Sequence, residues 1–204
     1  MNGNGFLHAV RAREYYAEAP EGIDVWKYGF PLSAHQPVED VHVRIKTAGA
    51  DQDNGWVGSF ECARGRHIEV IPWAAANAVV VVAANGVYIV DPAHPEQFNG
   101  FAAPVEINGV MFDESGRNMF VAESLRVYAF SSDGLLRWMS EPLEGHGVRF
   151  RACGGRVLAI EVRQAEADGE ESPPSLVRLR TEDGTILRSR FRRGRRYWAK
   201  RTAA

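Results

Sequence analysis

Two cysteines, six histidines and 26 carboxylates are the residues of this 204-residue chain from which a reaction centre would be built, and their spacing limits what they can form. His8, His35, His42, His67, His94 and His146 never fall into the close pairs that hold zinc, and Cys62 and Cys153 stand in no CxxC motif. No linear metal site is expected. His42 beside Glu39 and Asp40, and His67 near Glu69, enter a site only if folding brings further ligands to them. The stretch "DQDNGW" at residues 51–56 resembles the opening of a calcium loop, in which alternate Asp and Asn oxygens surround the ion. It is one residue short, and Cys62 stands where a bidentate glutamate would close the loop, so it reads as a polar turn between strands.

A nucleophile needs a base to activate it, and a phosphate site needs a helix or nest of N–H groups. The chain has no GxSxG elbow. Ser59 and Cys62 in "GWVGSFECARG" lie in an apolar strand context, and Cys153 in "RACGGR" follows His146 by seven residues; both cysteines read as small core residues or turn neighbours. Gly154-Gly155 reads as a turn, because no helix pattern follows it, and neither a dinucleotide fingerprint nor a Walker motif is present. No catalytic residue, metal or cofactor is expected. An enzyme, hydrolytic or metal-dependent, stays open only as a site assembled from scattered histidines and carboxylates.

Charge is unevenly distributed. From Arg188 to Arg201 eight residues are basic and none acidic, which leaves 16 of the 24 Lys and Arg against all 26 Asp and Glu elsewhere, a balance of −10. The tail "RSRFRRGRRYWAKR" interleaves its cations with Phe191, Tyr197 and Trp198, a composition suited to phosphate backbones. The acidic remainder argues against an extended nucleic-acid surface, so such contact is expected only through the tail, whose arginines otherwise read as a solvated last strand and terminus. The longest apolar run, residues 73–84, is about half a membrane span and is broken by Asn77. No basic region precedes a long apolar core near the first residue. Neither a membrane span nor a signal peptide is expected, and a cytoplasmic location with reduced thiols is the default.

The elements that must hold any site are short strands. Around Val80 the chain reads "NAVVVVAANGVYIVD", around Met119 "RNMFVAESLRVYAFSSDG", and around Leu158 "GRVLAIEVRQ", followed after a polar insertion by "SLVRLRTEDG". Aligning Val80, Met119 and Leu158 gives a step of 39 residues, taken twice. Short apolar strands punctuated by Gly, Asn and Asp at such a period mark a repeated sheet unit. "NGVMF" at 108–112 and "HGVRF" at 146–150 keep the register within one residue. Asp133-Gly134 and Asp183-Gly184 read as hairpin turns. Their wider spacing is accounted for by "QAEADGEESPPS" at 164–175, a charged insertion between two strands of one unit. Alternation in "RVYAF" assigns Val127 and Ala129 to one sheet face and Tyr128 and Phe130 to the other.

Residues 1–75 follow this pattern poorly. "FLHAVRAREYYAEA" reads as a helix by propensity or equally as an extended segment. "VHVRIKT" reads as a half-buried strand with Val41, Val43 and Ile45 inward, and "GWVGSFECARGRHIEVIPW" as two strands around a turn at Gly65.

The pattern of two apolar strands, Asp-Gly and "LLRW" resembles the repeats of quinoprotein-like β-propellers over residues 75–191. The expected fold is all-β: a small or incomplete β-propeller-like array of antiparallel sheets, with three clear repeats and a divergent N-terminal unit, the alternative being a β-sandwich or irregular barrel. It reads as one domain over residues 1–204, with the divergent unit at 1–75, the repeats at 76–191 and the basic tail at 192–204. Of Trp26, Trp56, Trp73, Trp138 and Trp198, at least three are expected to be structural.

The run "WKYGFPL... WVGSFE... VYIVDP... LLRWMSEPLEGHGVRF" is similar to short bacterial cytosolic proteins of about this length, some from toxin and immunity gene neighbourhoods. The absence of catalytic motifs favours a non-enzymatic protein-binding module, and the resemblance implies that it neutralises a cognate toxin by covering its active site. An acidic body suits a basic toxin, because complementary charge speeds association. Loops carry recognition more often than the strands that hold them. The contact residues expected are Asp51, Asp53 and Trp56 on one loop and Glu166, Asp168, Glu170 and Glu171 on another.

Overall fold

The computed structural model describes residues 15–16, 25–28, 38–46, 55–63, 68–83, 86–163 and 173–187. The expectations for Asp51, Asp53, Glu166, Asp168, Glu170 and Glu171, and for the tail from Arg188 onward, lie outside the described residues. Within them the chain is all-β, in four sheets that follow one another along the sequence and do not close into a barrel. The first sheet holds β1 (Tyr15–Tyr16), β2 (Val25–Tyr28), β3 (Val38–Lys46) and β4 (Gly55–Ala63) in the order β1-β3-β4-β2, with β2 parallel to β4. The second is a meander of β5 (Ile68–Trp73), β6 (Ala78–Ala83), β7 (Gly86–Asp91) and β8 (His94–Ala102), and the third a meander of β9 (Ile107–Phe112), β10 (Asn118–Glu123), β11 (Val127–Ser131) and β12 (Leu136–Met139). The fourth holds β13 (His146–Gly154), β14 (Val157–Arg163) and β15 (Ser175–Arg180), and Ile186 adds a single bridge to Leu179.

Stacking explains why the central strands are apolar on both faces. Successive side chains of a strand point to opposite faces, so Val79 and Val81 of β6 pack with Val43, Ile45 and Phe60 of the first sheet, while Val80 and Val82 pack with Met119 and Val121 of the third. Phe120 and Ala122 of β10 turn the other way, onto Leu158, Ile160 and Val162 of the fourth. Among the described residues three cores result, one between each pair of neighbouring sheets, and none of them joins the fourth sheet to the first. Each valine buried in this way contributes about 1.5–3 kcal/mol relative to exposure.

Several sequence expectations change in detail. The alignment of Val80 with Met119 is one residue out, because Val80 faces the following sheet and Met119 the preceding one. The step that keeps a side chain on its face runs from Val79 to Met119, 40 residues, and then from Met119 to Leu158, 39 residues; a one-residue slip flips every side chain. β4 and β5 are not a hairpin about Gly65: β4 pairs with β3 and β2, and β5 with β6 in the next sheet. β3 is not half-buried, since His42 and the cross-strand neighbours Val57 and Ser59 are buried on the face opposite Val43 and Ile45. Tyr15 and Tyr16 are extended and pair with Val43 and His42. The run 73–84 is divided by a single 3-10 turn, Ala74–Ala76, which ends where Asn77 takes the left-handed conformation at φ 50°.

Two recurring devices set how sheets meet. Asp91, Asp133 and Asp183 each accept the backbone N–H two residues on, at 2.8, 3.1 and 2.9 Å, which folds the turn after β7, β11 and β15. Three indoles then tie one sheet to a turn of the next: Trp56 Nε1 donates to the Pro92 carbonyl at 2.9 Å, Trp73 Nε1 to that of Gly116 at 2.5 Å, and Trp138 Nε1 to that of Thr181 at 2.9 Å.

Candidate functional site

The outer strand of the second sheet is where this regularity breaks. β8 pairs with β7 from Ala102 to Phe98, and the register then jumps so that Asp91 faces His94, leaving residues 95–97 as an extra loop of strand. A bulge of this kind re-aims side chains out of the pleat, and Pro95, which lacks a ladder donor, marks it in the sequence. Opposite stands the β11–β12 turn of the third sheet, held at Asp133-Gly134, where Gly134 has φ 78°. Asn99 of β8 bridges the two by donating from Nδ2 to the Asp133 carbonyl at 3.3 Å.

An open cleft of about 430 Å³ lies between these elements. Its walls carry three carboxylates, Asp91, Glu96 and Asp133, with Gln97, Asn99 and Ser132 beside them, and Ile89 and Phe98 are among the apolar residues of the lining. Two of the carboxylates are fixed by the turns they build. Burial works to raise Asp91, but the Ala93 N–H and the His94 ring, 3.1 Å from Oδ2, outweigh it and hold the carboxyl below its ordinary range. Ser131 Oγ donates to Asp133 Oδ1 at 2.5 Å and the Leu135 N–H at 3.1 Å, and these bonds hold Asp133 low as well. Both are anionic at neutral pH. Glu96 is exposed on the bulge and makes no hydrogen bond among the described residues, so its charge is free to meet a ligand. The arrangement presents fixed negative charge and amide groups to a cation or a polyol.

It does not present a nucleophile. His94 is oriented by Asp91, yet no serine or cysteine hydrogen-bonds its ring among the described residues. Burial, with Asp113 and Glu114 nearby, pushes the Cys153 thiol up, the opposite of an activated thiolate. Among the described residues no three His, Cys, Asp or Glu side chains form a group that could hold a metal ion.

Of the contact residues expected from sequence, Trp56 is the one described. It stands in strand β4 rather than in a loop, 8% exposed, its ring facing the second sheet and tilted against Tyr28 at 6.1 Å. It is a packing residue, as are Trp73, 1% exposed, and the half-buried Trp138. Trp26 is 38% exposed on β2. The cleft residues Asp91, Glu96 and Asn99 escaped sequence reasoning because no motif joins them; the signal available was "DPAHPEQF", where two prolines interrupt what should be a strand. Comparison with models of known protein families, with curated protein sequences and with solved structures finds nothing that matches this chain.

Proposed function

We propose that this protein is a non-enzymatic binding module whose cleft between the second and third sheets receives a basic side chain of a protein partner, a basic toxin being the partner class suggested by its resemblance to short bacterial proteins, some of them from toxin and immunity gene neighbourhoods. The succession of antiparallel sheets is in keeping with the resemblance of the repeat pattern to quinoprotein-like propellers. The observation that carries the reading is the cleft itself: three carboxylates, two of them locked in the charged form by turn hydrogen bonds, around a space large enough for a guanidinium and its neighbours. A carboxylate and a guanidinium form paired, charge-assisted bonds, and the balance of −10 outside the tail favours approach of a cation. The test is affinity capture from the protein's own cells with the parent chain and with Glu96→Lys, which changes the cleft without touching a turn. A stoichiometric basic protein held by the parent and lost by the variant supports the reading; equal retention by both, or no stable partner, refutes it.

A further inference from the structure

Among the described residues the fourth sheet ends the stack, and its two faces differ in kind. Leu158, Ile160 and Val162 of β14 face the third sheet, so Val157, Ala159, Glu161 and Arg163 lie on the end face. Register places Arg149 beside Glu161, and Arg178 and Arg180 beside Ala159 and Val157. Arg151 joins them through its 2.5 Å ion pair with Glu161. Five arginines thus share this face with one strand carboxylate. Hydrogen bonding from Arg151, with Arg149 and Arg163 nearby, holds the Glu161 carboxyl below its usual range, so that charge is already engaged. Arg180 meets Asp183 in the adjoining turn at 3.0 Å. Arg178 is exposed and makes no ion pair among the described residues, and Leu176 beside it is 58% exposed.

We propose that this end face docks a short, extended, acidic segment of a partner protein. Neighbouring strands lie about 4.8 Å apart, so Arg149 of β13, level with Glu161, and Arg178 and Arg180 of β15, level with Ala159 and Val157, stand on strands about 10 Å apart on either side of β14. Along β15, Arg178 and Arg180 are spaced by two residues, about 6.7 Å, the spacing at which an extended segment repeats the side chains of one of its own faces. Alternate Glu or Asp residues of such a segment therefore meet successive guanidinium groups, which bind carboxylates bidentately. Leu176 offers an apolar contact at the margin. An apolar end face would accept another sheet; a charged one ends the array and leaves the surface to a polar ligand. A long polyanion fits less well, since residues 1–148 carry 19 acidic and 10 basic residues and would repel a strand running off the face.

This surface is separate from the acidic cleft and its test is independent of it. Fluorescence anisotropy with a labelled octapeptide alternating Glu and Val is read against the full chain at about 50 mM salt, where screening is modest. Saturable binding is expected, weakened about tenfold in Arg149→Gln/Arg178→Gln, which removes two charge-assisted contacts, and unchanged in Glu96→Gln. Both arginines are exposed, and matching thermal melts establish that the variant is folded; Arg178→Glu alone serves if they differ. Neutralising the tail at Arg192, Arg193, Arg195 and Arg196 with Ser should leave the binding in place. The proposal is overturned if the peptide does not bind, if the tail variant loses what the face variant keeps, or if oligothymidylate binds more tightly than the peptide.

Discussion

Replacing Gly184 with Ala measures how firmly the third and fourth sheets are pinned together. Gly184 has φ 72°, where an L side chain costs about 1–2 kcal/mol, and an added Cβ would lie 2.6 Å from the Trp138 ring. That ring cannot move aside cheaply. Its Nε1 donates to the Thr181 carbonyl at 2.9 Å, and it lies against Phe120 with centroids 5.8 Å apart. Shifting it, or giving up its hydrogen bond, adds about 1–3 kcal/mol, for a total of about 2–5 kcal/mol. Two other glycines separate strain from collision. Gly155→Ala, at φ 56° with nothing near its Cβ, should show the strain alone, about 1–2 kcal/mol. Gly134→Ala meets Asn99 Nδ2 at 2.7 Å and Cβ at 3.2 Å, and turning the amide aside gives up its exposed bond to the Asp133 carbonyl, so its cost should fall between those of Gly155→Ala and Gly184→Ala. Urea unfolding followed by circular dichroism, with linear extrapolation, gives the three values. In a Trp138→Phe background the cost at Gly184 should shrink by about 1 kcal/mol, since contacting residues couple. Three glycine substitutions equal to within about 0.5 kcal/mol would show that the Trp138 contact pins nothing.

Other consequences are open to measurement. Asp91, Asp113, Asp133 and Asp183 are all held below the ordinary carboxylate range by hydrogen bonds they accept, against burial at Asp91 and Asp113. The folded state therefore binds fewer protons than the unfolded chain as the pH drops, so their stabilisation is full above about pH 4 and is lost as pH falls through the lowered folded values. Urea midpoints should be level from neutral pH to that point and decline below it; a midpoint unchanged down to pH 3 contradicts this. Tyr128 donates to Glu123 Oε1 at 3.2 Å, while Oε2 of this residue, which is 3% exposed, has no hydrogen-bond partner among the described residues. Tyr128→Phe should cost about 1–3 kcal/mol by stranding the remaining oxygen, and the cost should nearly vanish in a Glu123→Leu background. Burial first and Glu123 second push the Tyr128 hydroxyl up to about 12, so its absorbance change should trail that of exposed tyrosines in an alkaline titration. Cys153 should alkylate more slowly than a free cysteine at pH 8, with peptide mapping to separate it from Cys62, and Glu114→Gln should speed the reaction.

The second, third and fourth sheets were legible because β6, β10 and β14 announce themselves as apolar runs, and because Asp-Gly pairs mark the turns at Asp133 and Asp183 in the third and fourth. The faces of Tyr128 and Phe130 against Val127 and Ala129 followed from alternation alone. Register did not. An apolar run such as "AVVVVA" has no polar side chain to say which face is which, so Val80 was aligned one residue away from its true counterpart. The first sheet was harder for a different reason: β3 and β4 are buried on both faces despite His42 and Ser59, so binary patterning misjudges them, and β2 enters parallel to β4, a pairing no local turn signal foretells. Trp56 reads as a loop residue because "DQDNG" precedes it, whereas its indole is a tie between sheets. The cleft was hidden because Asp91, Glu96 and Asp133 come from two sheets, and only the bulge in β8 and the Asn99 bridge bring them to one space.

The most direct test of binding at the acidic cleft is an amide NMR titration of the full chain with a short tetra-arginine peptide. The account predicts saturable shifts concentrated at residues 91–99 and 131–134, absent in Glu96→Lys. Shifts scattered over the surface without saturation, or confined to residues away from β8 and the β11–β12 turn, would contradict it.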